Sequence, residues 1–142
     1  VEAETADWKT YRNEEYGFEV KYPDNYYISV SGKREEEGAV YSLLRVAIDE
    51  EPISDYKTPL ISINLVGPDF MLGTRPWENF TLGEIDGSIC CDWYNWRVRE
   101  KVSSAEIVFT SENNQSFYVT IRGDPWENKI INQMLSTFRF LE

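Results

Sequence analysis

The sequence predicts an α+β fold, an antiparallel β-sheet of about six to seven strands with a C-terminal helix packed on it. Three observations carry that prediction. Short segments such as Phe18 to Tyr22, Leu60 to Val66, Ala105 to Phe109 and Phe117 to Ile121 alternate apolar and polar residues, the period of a half-buried strand. Only the stretch from Asp124 to Phe138 has the 3.6-residue period of an amphipathic helix. The chain is also rich in strand-favouring aromatics, with nine Tyr, seven Phe and five Trp. Runs of hairpins followed by one helix make an α+β plan rather than a parallel α/β one.

In chain order, an acidic leader over residues 1–7 is expected to be disordered, and residues 8–142 to form a single domain. Trp8 to Asn13 reads as extended chain, and Glu14 to Gly17 as a turn. Phe18, Val20 and Tyr22 then share one face of a first strand, which Pro23-Asp24-Asn25 ends. Tyr26 to Ser31 is a second short strand, and Gly32 to Gly38 a charged turn. Ala39 to Asp49 carries apolar residues on both faces, as a strand covered on two sides requires. Glu50 to Thr58 is a loop. Gly67, Pro68, Gly73 and Pro76 exclude a long helix between residues 67 and 82, where at most a short turn at Trp77 to Phe80 is expected. Gly83 to Gly87 turns into a long strand, Ser88 to Arg99. A polar hairpin at Glu100 to Ser103 leads back through Ala105, Ile107 and Phe109, and Asn113 to Gln115 turns again into Phe117 to Ile121. Asp124 as cap, Pro125 in the first turn and Glu127 three residues after Asp124 form a capping-box pattern for the helix. Trp126, Ile130 and Met134 recur four apart, widened by Ile131, Leu135 and Phe138 into an apolar stripe. Phe138 to Leu141 is read as a short terminal strand.

Composition narrows the function classes. The net charge is −11, from 25 acidic and 14 basic residues, a field that repels nucleic acid and anionic lipid. No histidine is present, which removes the commonest general base and the usual zinc and copper ligands. Cys90 and Cys91 are neighbours without the C-x-x-C spacing. In a strand they point to opposite faces, so at least one is expected to be a small core residue, with a strained disulfide between the two as the alternative. No apolar run is long enough to span a bilayer, and the sequence reads as a trimmed mature chain.

Three phrases resemble a known family. Trp8-Lys-Thr-Tyr-Arg-Asn-Glu-Glu-Tyr-Gly-Phe-Glu-Val-Lys-Tyr-Pro23 is similar to the opening of many small exported bacterial envelope and lipoprotein domains. Leu82-Gly-Glu-Ile-Asp-Gly87 resembles their glycine-bounded approach to a long strand, and Ile131 to Phe140 their closing "ILSTFKF". These domains are related in fold to PsbP and to a nuclear import factor that binds Ran. The resemblance implies an α/β/α sandwich over residues 8–142, export behind a signal peptide or lipid anchor, membrane contact only through that anchor, and no shared catalytic constellation.

Candidate sites are few. Trp77, in the irregular segment, with Trp93, Asn95 and Arg97 on one face of the long strand, could form an aromatic-polar binding surface for a protein or a glycan. The plainer reading makes one face of that strand core and the other a cross-strand ladder with little function. Asp49, Glu51 and Asp55, with Glu50 between them and Glu35 to Glu37 nearby, are weak candidates for calcium, lacking EF-hand spacing. A paired-carboxylate hydrolase is the acid–base chemistry open to a chain without histidine, but no phosphate loop, nucleophile elbow or metal motif supports one. The expectation is a non-catalytic, monomeric binding or assembly module without a cofactor. A small-ligand or calcium-binding domain is the alternative, and an unrecognised hydrolase comes third.

Overall fold

The computed structural model describes residues 5–54, 57–90, 93–95, 100–102, 104–123 and 125–141, with the strand path alone for 93–95 and 100–102. Its elements are β1 (Lys9–Asn13), β2 (Phe18–Tyr22), β3 (Tyr27–Ser31), β4 (Arg34–Glu36), β5 (Ala39–Asp49), β6 (Ile61–Val66), β7 (Glu78–Leu82), β8 (Ile85–Cys90), β9 (Trp93–Asn95), β10 (Glu100–Val102), β11 (Ala105–Thr110), β12 (Ser116–Ile121), α1 (Lys129–Thr137) and β13 (Arg139–Phe140). The large sheet runs β3-β5-β6-β12-β11-β8-β7, with β4 beside β5. A smaller sheet runs β1-β2-β13, and β9 pairs with β10 in a two-stranded ribbon. Every strand pairing is antiparallel. The α+β plan therefore stands. Among the described residues α1 is the helix, so the second helical layer of an α/β/α sandwich is not among the described elements.

Alternation decides which face of the large sheet is buried. Ile61, Ile63 and Leu65 of β6 line up with Ile121, Val119 and Phe117 of β12, which in turn meet Ala105, Ile107 and Phe109 of β11. All nine are buried in one apolar cluster that also holds Phe18, Val20 and Tyr22 of β2 and Ile131, Met134 and Leu135 of α1. The helix and the small sheet thus cover a single face of the large one. Five phenylalanines weld the layers. Phe109 stacks on Phe117 at 5.0 Å, Phe138 meets both edge-on, Phe18 stacks on Phe138, and Phe140 closes the ring set.

The helix starts later than the sequence pattern suggests. Asp124 lies outside the described residues, and residues 125–127 form a turn. The cap is Asn128, whose extended backbone lets its side-chain oxygen accept from the Ile131 N–H at 3.1 Å. Asn132 ties the preceding turn down by donating to the Pro125 carbonyl. Trp126 is consequently off the helical stripe, largely exposed, and packed on the Phe80 ring. At the other end Phe138 leaves the helix with extended backbone angles, and Thr137 Oγ1 accepts from the Lys21 N–H, pinning α1 to β2.

Other corrections follow from pairing. Residues 5–7 are a turn, with Thr5 buried and its carbonyl accepting from the Trp8 N–H. Residues 34–36 of the charged turn pair with β5, across a register shift, as β4. Residues 78–82 form strand β7 on β8 rather than a helical turn. The expected strand from Ser88 to Arg99 is divided, β8 ending in the large sheet at Cys90 and β9 belonging to the separate ribbon. Cys90 is buried and disulfide-bonded, and the other cysteine of the sequence, Cys91, lies outside the described residues. Covering on both faces does explain the consecutive burial of Val46, Ala47, Ile48 and Asp49 in β5. The adjacent Leu43 and Leu44 have a different cause, a bulge that shifts the register against β6.

Met134→Asp would bury an unpaired carboxylate in this core and is expected to abolish cooperative unfolding. Phe138→Ala is expected to cost about 3–5 kcal/mol, and Trp126→Ala about 1 kcal/mol or less. Urea denaturation checks the order, and a Trp126→Ala loss equal to that of Phe138→Ala would refute the assignment.

Candidate binding groove

Burying one face of the large sheet leaves the other for polar residues. On it stand Ser62 and Asn64 of β6, Ser116 and Tyr118 of β12, Glu106, Val108 and Thr110 of β11, and Asp86 and Ser88 of β8. They are joined by local bonds. Arg45 Nε donates to Ser62 Oγ at 3.1 Å, Asn64 Nδ2 donates to the Tyr118 carbonyl at 3.2 Å, and Thr110 and Ser116 share a hydroxyl contact at 3.2 Å.

Residues 67–77 cross part of this face. Gly67 begins the crossing because it lies against β5. A Cβ there would stand 2.4 Å from the Val40 carbonyl oxygen, while the Gly67 N–H donates to the Tyr41 carbonyl. Asp69 fixes the same turn from both sides, donating its N–H to the Val40 carbonyl and accepting the Val40 N–H at 2.6 Å. Phe70 then lies on the Tyr118 ring at 5.2 Å. Further on, Arg75 Nε donates to Glu106 Oε2 at 2.6 Å, and Glu106 Oε1 accepts from the Tyr118 hydroxyl. Glu106 is therefore the common anchor of the crossing segment and of the floor beneath it.

That anchoring sets the charge state. Burial, then the hydrogen bond to Glu106 and its charge, hold the Tyr118 hydroxyl well above the usual tyrosine range. The same carboxylate, mainly through its hydrogen bond, raises Arg75. Between the crossing segment and the sheet lies an open groove of about 540 Å³, lined by Val66, Phe70, Leu72, Asp86, Gly87, Ser88, Val108, Phe109, Thr110, Ser116, Phe117 and Tyr118. Gly87 lets β8 and β11 come together here, since a Cβ would stand 2.0 Å from the Val108 carbonyl oxygen.

The residues singled out from the sequence fall elsewhere. Trp77 is partly buried at the end of the crossing segment, its N–H donating to the Arg75 carbonyl, and it is not part of the groove lining. Trp93 and Asn95 lie on β9, opposite Val102 and Glu100 of β10. Arg97 and Asp55 lie outside the described residues. Asp49, at the end of β5, is buried and paired with Arg122 Nη2 at 3.0 Å and Lys57 Nζ at 3.9 Å. Lys57 also binds Glu51, whose carboxyl is lowered chiefly by that hydrogen bond, and Arg122 reaches Glu50 at 3.8 Å. Asp49 and Glu51 are thus both engaged by protein cations. Among the described residues no group of three or more His, Cys, Asp or Glu is placed to hold a metal ion. Nearby Tyr26 is raised by burial first and by Glu50 and Asp49 next.

Sequence reasoning passed over Phe70, Arg75, Glu106 and Tyr118. One signal was available, since alternation along β12 already turns Tyr118 away from the core. The Arg75–Glu106 pair spans 31 residues and had no sequence signature. No protein-family model matches this chain, and no curated protein or solved structure matches it either. No described helix is long and apolar enough to cross a membrane.

Two outcomes test this geometry. A Tyr118 pKa raised in the folded state means that the unfolded chain loses its phenolic proton first. Stability is then fully present below about pH 10 and is lost as pH rises beyond it. Guanidinium melts at increasing alkaline pH should show that loss, and it should shrink in Tyr118→Phe. Separately, Asp49→Asn is expected to cost on the order of 3 kcal/mol, because Arg122 and Lys57 lose a buried partner while keeping some access to water. The melting temperature of either form should not respond to calcium chloride.

Proposed function

We propose that the protein is a non-catalytic binding or assembly module of the cell envelope, with a PsbP-like architecture, meeting a protein or glycan through an aromatic and polar surface. The observation that carries this reading is the groove under residues 67–77. It has an apolar body, a hydroxyl-bearing wall and a volume within the range of about 300–1,000 Å³ common to small-molecule sites. Its one strongly perturbed group, Tyr118, is held in the protonated, hydrogen-bond-donating form and is already engaged by Glu106, which suits a fixed platform better than a proton carrier. The adjoining tip is apolar and presented to solvent, with Met71 89 % and Leu72 43 % exposed, as expected of a surface that meets something else.

Export and anchoring rest on the resemblance of the opening and closing phrases. A disulfide at Cys90 is in keeping with an oxidising compartment. Trp77, at the end of the crossing segment, is kept in the proposed surface, whereas Trp93 and Asn95 lie on the separate β9–β10 ribbon and are not assigned to it.

Affinity purification of the native protein from envelope fractions, quantified against single variants, provides the test. A partner whose affinity falls about tenfold or more in Phe70→Ala or Trp77→Ala, with an unchanged denaturation midpoint, is the expected result. Undiminished binding in both variants would remove this surface from the reading, and recovery of the native protein solely from the cytoplasm would remove the envelope assignment.

A further inference from the structure

We infer that the groove between residues 67–77 and the outer face of the large sheet is a saccharide site, taking a neutral, hydroxyl-rich ring. The inference rests on the binding reading above and names its ligand class. Three independent features of the groove point the same way.

The first is the absence of free backbone in its floor. The strands beneath it, β6, β12, β11 and β8, each have a hydrogen-bonded neighbour on both sides in the order β5-β6-β12-β11-β8-β7. An extended peptide gains most of its affinity by pairing its main chain with an open strand edge, and this floor offers none. Recognition here has to run through side chains.

The second is charge. Among the described residues, no cation lines the groove. Arg75, the nearest one tied to its floor, is committed to Glu106, and the chain as a whole carries −11. Asp86 lies at the rim with its carboxylate partly occupied by Thr81 at 3.3 Å. A phosphate, sulfate or carboxylate ligand would enter against this field without a counter-charge.

The third is the distribution of the remaining groups. Phe70, Tyr118, Val66 and Val108 offer carbon surface, which suits the C–H face of a sugar ring. The hydroxyls of Thr110 and Ser116, paired at 3.2 Å, stand among them, with Ser88 beside Val108 and Asp86 also in the lining. Hydroxyls that both donate and accept, beside a carboxylate that only accepts, match the donor–acceptor character of a sugar's own hydroxyls. The groove volume of about 540 Å³ is ample for a short oligosaccharide.

The experiment is a methyl-detected NMR titration of the full chain with maltotriose, N,N′-diacetylchitobiose and mannobiose as neutral probes and a sulfated heparin disaccharide as the anionic control. Saturable shifts confined to Val66, Leu72 and Val108 with a neutral probe, insensitive to salt and absent with the sulfated one, are expected. Affinity should fall about tenfold or more in Phe70→Ala, and also in Thr110→Val, which keeps shape while removing a hydroxyl. Silence from all three neutral probes, shifts elsewhere, or equal binding of the sulfated disaccharide overturns the saccharide class. If that class fails while a purified envelope partner is still lost in Phe70→Ala, the binding reading stands with a protein ligand. If the partner also binds both Phe70→Ala and Trp77→Ala normally, both readings fall.

Discussion

Five phenylalanine rings hold the last dozen residues of the chain against strands laid down before them, and the rest of the architecture depends on that contact. Phe138 leaves the helix at the point where it meets Phe109 and Phe117 edge-on, and Phe140, two residues later, packs on all three. Phe18 joins from β2. Aromatic pairs of this kind add to area burial because their rings meet in offset or edge-on geometries. The helix itself is only nine residues long, too short to persist alone, so its stability has to come from this packing and from the tie between Thr137 and Lys21.

Concentrating the apolar residues on one face has a consequence for the other. The outward positions of β6, β8, β11 and β12 carry Ser, Thr, Asn, Glu and Tyr and need not contribute to the core. Such a face becomes useful only when something defines a cavity on it. Residues 67–77 do so, held at one end by Gly67 and Asp69 against β5 and at the other by Arg75 on Glu106. The irregular segment is thus fixed at both ends by contacts to separate strands, which gives it a defined position without regular secondary structure.

Much of the sheet was legible in the sequence because its strands bury one side alone. Phe117, Val119 and Ile121 alternate with Tyr118, Thr120 and Arg122 so cleanly that β12 could be placed with its outward face. Boundaries were harder where two local signals compete. Asp124-Pro125 and Asn128 both offer cap chemistry, and only the reach of the Asn128 oxygen to Ile131 decides between them. The run from Ser88 onward contains no Gly or Pro to divide it, yet its described residues fall in two sheets, β8 paired with β11 and β9 with β10, a division that long-range pairing makes rather than composition. Likewise β7 exists through its pairing with β8, a contact outweighing the turn signal of the neighbouring Pro76. The groove was the least legible feature, since it is made by long-range pairs.

Charge placement ties these points together. A chain with an excess of eleven negative charges could have lined its open face with unpaired carboxylates. Instead, two of the carboxylates most enclosed on that side are each matched to an arginine, Asp49 to Arg122 and Glu106 to Arg75. Leaving either carboxylate alone would cost more than the pair gains, because a desolvated charge without a partner is the expensive case. The pairing has a second effect at Glu106. It commits the nearby cation to an internal bond, so the groove presents hydroxyls and carbon surface. The stability of this face and the chemical character of its groove are therefore consequences of the same bond.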